Sequence, residues 1–103
     1  MKTEIDSKII EDVVDTFGVS SQIDMSIEEC SELINALEKY RRGRVGVPEV
    51  VTEIADVQIM CSQLEFIFGG ESKIVEAERM RKMDRLRSRL ETHKKESCPA
   101  RKN

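Results

Sequence analysis

Apolar residues recur along this chain at helical spacing. Ile5, Ile9, Val13 and Phe17 repeat every fourth position, with Ile10 and Val14 beside them, which predicts a first helix over residues 3–17 stopped by Gly18. Ser20-Ser21-Gln22 then offers an N-cap for a second helix running to about Arg42. The clearest break is Arg41-Arg42-Gly43-Arg44-Val45-Gly46-Val47-Pro48, where two glycines flank a short loop and Pro48 suits the first turn of a third helix. That helix is expected to reach Phe68 and end at Gly69-Gly70. So short a loop makes the second and third helices antiparallel neighbours. A fourth helix is predicted from Glu71 or Ser72 to about Thr92, with a narrower stripe that includes Ile74, Met80, Met83, Leu86 and Leu90. The expected architecture is all-α: an antiparallel four-helix bundle-like protomer in a single domain, residues 1–92. Residues 93–103 are polar and are expected to form a disordered tail.

The informative positions are the polar ones that violate this pattern. On a wheel of about 100° per residue, Glu29 falls inside the apolar arc of the second helix, among Met25, Cys30, Leu33, Ala36, Leu37 and Tyr40. Glu32 lies just beyond its edge. Glu53 is central in the arc of the third helix, among Val50, Ile54, Val57, Met60 and Leu64, with Asp56 at the edge. Each helix therefore carries two acids three residues apart, close enough to share a ligand. An unpaired carboxylate on a packing face is costly and takes up a proton instead. A bound cation is the simplest way to keep four of them ionised. A competing reading exists for Glu29: Ser26-x-x-Glu29 fits a capping box, in which Glu29 would be a cap and not a ligand.

Glu28-Glu29-Cys30-Ser31-Glu32, followed after a gap by Glu53-Ile54-Ala55-Asp56, resembles the EExxE…ExxD signature of the MazG-like, all-α nucleoside triphosphate pyrophosphohydrolases. Lys39-Tyr40-Arg41-Arg42-Gly43 and Lys82-Met83-Asp84-Arg85-Leu86 resemble its flanks, so the likeness covers about residues 18–90. It implies Mg²⁺-dependent hydrolysis of an NTP or dNTP to the monophosphate and pyrophosphate, in nucleotide-pool sanitation, by a homodimer or homotetramer. The expected metal ligands are Glu29, Glu32, Glu53 and Asp56, and the expected catalytic acids are Glu28, Glu29 and Glu53. Glu28 points away from the apolar arc and ranks below the others. Lys82, Arg85, Lys39 and Arg42 are the phosphate candidates, and Gln22 stands where relatives place a polar residue near the base. A solvated basic face on the fourth helix is the plainer account of Lys82 and Arg85. Related alternatives are a dUTP/dCTP or phosphoribosyl-ATP pyrophosphohydrolase. The non-enzymatic alternative is a helical interaction module whose acids only pair with the basic helix.

Composition narrows the picture. Four carboxylates without histidine select hard cations such as Mg²⁺ or its substitute Mn²⁺. The only histidine, His93, belongs to no Glu-x-x-His pair of the di-iron kind. Aromatic residues are 4% of the chain and Trp is absent, which disfavours a β-sandwich. A net charge of −3 argues against a general nucleic-acid binder, although bases gather between Arg79 and Lys102. Cys30, Cys61 and Cys98 form no CxxC pair and read as small hydrophobes of a reducing compartment. No signal peptide and no membrane-length apolar run is expected, which predicts a soluble cytoplasmic protein. At 103 residues the core is limited, so burial through self-association is expected.

Overall fold

The structure, a computed structural model, describes residues 5–101. It contains four α-helices and, among the described residues, no strand. The all-α expectation therefore holds. The chain divides into two compact units, one ending at Glu71 and one beginning at Ser72.

In the first unit, α1 is Ser7–Phe17, α2 is Val19–Arg41 and α3 is Val47–Gly69. Asp6 opens α1: its Oδ1 accepts from the backbone N–H of Lys8 at 2.9 Å and of Ile9 at 3.3 Å. The expected start at residue 3 lies outside the described residues. Gly18 ends α1 and starts α2 in one step, at φ 95°. Its N–H donates to the Val14 carbonyl at 2.8 Å, and its carbonyl accepts from Gln22 N–H at 3.1 Å. A positive φ is open to glycine at little cost. One residue thus replaces the short connection that a cap at Ser20 or Ser21 would require. At the next break, Glu49 Oε1 accepts from Gly46 N–H at 3.0 Å and fixes the start of α3, with Pro48 in its first turn. Gly70, at φ 59°, closes α3.

α2 and α3 form the main interface of this unit, and α1 packs against both. The buried apolar residues are few: Ile10, Val14, Ala36 and Met60. Three polar side chains are buried with them, Gln22, Ser26 and Gln63. Much of the apolar arc predicted on α2 and α3 stays uncovered by the unit. Met25, Leu37, Tyr40, Ile54 and Phe68 are exposed, and so are Cys30 and Cys61, which were expected on inner faces. The reason is geometric: an arc this wide exceeds what one neighbouring helix can cover.

The second unit is α4, Ile74–Arg101, which continues past Thr92 where the apolar stripe ends. Residues 102–103 lie outside the described residues. The helix is laced by short-range ion pairs: Lys73 and Lys82 approach Glu76 and Glu78, each at 3.8 Å, Arg87 meets Asp84 at 2.7 Å, and Arg81 clasps Glu78. Such i,i+3 and i,i+4 pairs each support a helix by a few tenths of a kcal/mol, about 0.2–0.5. Met80, Met83, Leu86 and Leu90 are exposed along it.

Candidate metal centre

Two helices bring the predicted acids together. Carboxylate oxygens of Glu29 on α2 and of Glu53 and Asp56 on α3 all lie within 4.8 Å of one another. All three residues are partly buried. A second grouping at the same spacing joins Glu29 to its helix neighbours Glu28 and Glu32, both exposed. Glu29 is common to both. The arrangement follows from the pattern: Glu53 and Asp56 share one face of α3, the loop folds α3 back on α2, and Glu29 meets them across the seam.

The capping reading of Ser26-x-x-Glu29 is excluded by the helix start. Ser26 stands mid-helix, where its Oγ donates to the Gln22 carbonyl at 2.8 Å. That is the back-bonding a serine adopts inside a helix, and it leaves the Glu29 side chain free to face α3.

The electrostatics of the cluster are unfavourable as it stands. Glu29 Oε1 and Glu53 Oε1 are buried and have no hydrogen-bond partner. Among the described residues of the α1–α3 unit, no lysine or arginine forms an ion pair with Glu28, Glu29, Glu32, Glu53 or Asp56. Desolvation lifts the Glu29 carboxyl above the ordinary carboxylate range, and the negative charges of Glu32, Asp56 and Glu53 lift it further. Three partly buried carboxylates, two of them with an orphaned oxygen, are a donor set for a divalent cation. All-oxygen, anionic ligands suit Mg²⁺ or Mn²⁺ better than zinc or copper. Neither Cys30 nor Cys61 belongs to either grouping. The Cys61 thiol is itself pushed up by desolvation, with Cys30 and Glu65 adding to it.

The other predicted site residues stand as follows. Lys39 and Arg42 are exposed at the loop end of α2, ten or more residues beyond Glu29. Backbone N–H groups of Arg42 and Arg44 donate to the Lys39 carbonyl, at 3.1 and 2.8 Å, so this end is a tight turn. Gln22 is buried, not open at a surface. Lys82 and Arg85 lie on α4, in the second unit, both exposed. One residue that the pattern did not single out is Gln63, buried on α3 with its Oε1 lacking a partner. Its signal was available: it is a polar residue seven positions from Asp56, hence on the same helix face.

Fold and site together define an all-helical protein with a carboxylate cluster suited to a divalent cation. No family model matches the chain, and neither a curated protein nor a solved structure does. Among the described residues, no helix is long and apolar enough to cross a membrane.

Proposed function

We propose that this chain hydrolyses nucleoside triphosphates to the monophosphate and pyrophosphate in a Mg²⁺- or Mn²⁺-dependent reaction, as the MazG-like pyrophosphohydrolases it resembles do. The observation that supports this most is the meeting of Glu29, Glu53 and Asp56, with carboxylate oxygens within 4.8 Å and buried oxygens left unpartnered. Glu29, Glu53 and Asp56 would hold the ion, with Glu32 reaching in from the exposed edge. When bound, the ion supplies positive charge against the phosphate chain and acidifies water. Glu28, exposed beside Glu29, accepts the proton of the water that attacks phosphorus. The bond from that phosphorus to the bridging oxygen breaks, and pyrophosphate departs. Lys39, Arg42, Lys82 and Arg85 are the phosphate donors that the resemblance implies, as charge-assisted partners of its oxygens. Gln22 belongs with the base. A homodimer or homotetramer is the form in which the reaction is expected to run.

The test is pyrophosphate release from a panel of NTPs and dNTPs with Mg²⁺ or Mn²⁺, with Glu53→Gln in parallel. Metal-dependent release that drops at least about 100-fold in Glu53→Gln is expected, since even indirect partners of a metal ligand contribute 10–100-fold. A folded wild type that releases pyrophosphate from no substrate in the panel, or a fully active Glu53→Gln, would overturn the reading.

A further inference from the structure

The seam between α2 and α3 holds a second polar layer that the acid cluster does not use. Gln22, Ser26 and Gln63 are 5 %, 4 % and 5 % exposed, as buried as the apolar core. Ser26 is satisfied by its own helix. Gln63 is not: its Nε2 faces the Met60 sulfur at 3.8 Å, and its buried Oε1 has no hydrogen-bond partner. An unmet buried carbonyl is destabilising, and an apolar side chain of similar volume would fill the seam without that penalty. The carboxamide points to a ligand that brings the missing N–H.

The placement says which ligand. Gln22 lies seven residues before Glu29, and Gln63 seven residues after Asp56. Seven residues are nearly two full turns, so each amide shares the face of its acid, about 10 Å along the helix axis. Because α2 and α3 are antiparallel, both amides are displaced in the same direction, away from the 42–46 loop. The seam therefore carries an acid layer and an amide layer about one nucleotide apart, from phosphates to base edge.

We propose that Gln63, on the same side of the acid cluster as Gln22, is the base-reading end of the nucleotide site. Gln63 Oε1 accepts an N–H from the hydrogen-bonding edge of the base and sets which base is taken. This rests on the triphosphate reading above. α1 packs against both α2 and α3 and joins α2 through Gly18.

The experiment compares wild type, Gln63→Met and Gln63→Asn in two assays. One is equilibrium binding of the four common nucleoside monophosphates in a chelator; the other is hydrolysis of the matching triphosphates with Mn²⁺. Wild type is expected to prefer one base by at least about tenfold, the scale of one good buried hydrogen bond. Gln63→Met brings that ratio towards one while Mn²⁺ affinity, read by calorimetry, is retained. Gln63→Asn keeps the carboxamide at shorter reach and keeps part of the preference. If Gln63→Met fails to fold, a reduced base ratio in Gln63→Asn carries the test. A base ratio unmoved by either substitution, or a wild type without preference, overturns the proposal. Hydrolysis with an unmoved ratio removes the base site and leaves the reaction. Gln63-dependent, base-selective binding with no hydrolysis removes the reaction and leaves the base site.

Discussion

Glu29 sits where three other acids converge, and among the described residues no cation of its unit compensates them. Its folded-state pKa is raised, so the folded protein binds this proton more tightly than the unfolded chain does. The resulting stability is fully present below the unfolded pKa and is lost as pH rises through the folded value. Metal-free protein is therefore expected to melt higher as the pH falls from neutrality towards the ordinary carboxylate range. A thermal melt series in chelator checks this, and Glu29→Gln should flatten the series and raise the neutral-pH melting temperature. Mn²⁺ must displace the same proton, so its affinity should weaken over the same interval. A metal-free melting temperature that falls on mild acidification would contradict the reading of Glu29 as an uncompensated acid. Glu29, Glu53 and Asp56 were legible in the sequence because a carboxylate on an apolar arc breaks a strong pattern. Gln63 was not, because a neutral amide beside Met60 and Leu64 breaks the pattern only weakly.

At the level of elements, the breaks between helices were the most legible feature. Gly18, Pro48 and Gly70 each act where their backbone chemistry predicts. The start of α2 was less so, because serines that are good caps sit just inside a helix that Gly18 begins. Gly18 has nothing within 4 Å of where a Cβ would stand, so Gly18→Ala tests backbone conformation alone. At φ 95° and ψ 149°, a region essentially confined to glycine, it should destabilise by about 1–3 kcal/mol. Denaturant melts read this, and a neutral outcome would mean that the α1–α2 joint relaxes without loss. Glu49→Ala removes the acceptor for Gly46 N–H and should cost about 0.5–1 kcal/mol, in the range of a single capping interaction.

For the whole molecule, the balance of buried and exposed surface decides how the chain can exist. The α1–α3 unit buries Ile10, Val14, Ala36 and Met60, while Phe68 is 67 % exposed and Ile34 60 %. Leu37, Tyr40, Val51 and Ile54 are exposed on the same two helices that hold the acid cluster. Few apolar side chains are fully buried among the described residues of this unit, and the apolar surface left open on α2 and α3 is large. A second copy of this acidic-seamed hairpin is the partner that the apolar arcs of α2 and α3 predict. The test is sedimentation together with melts at several concentrations. Wild type should sediment as a dimer or larger, with a melting temperature that rises with concentration. Leu37→Glu and Phe68→Glu should shift it towards monomer and lower its stability. If the chain is instead a stable monomer, both positions are ordinary surface sites, and each substitution should stay within about 0.5 kcal/mol. That outcome would also remove the homo-oligomer from the proposed reaction, leaving the acid cluster to work within one chain.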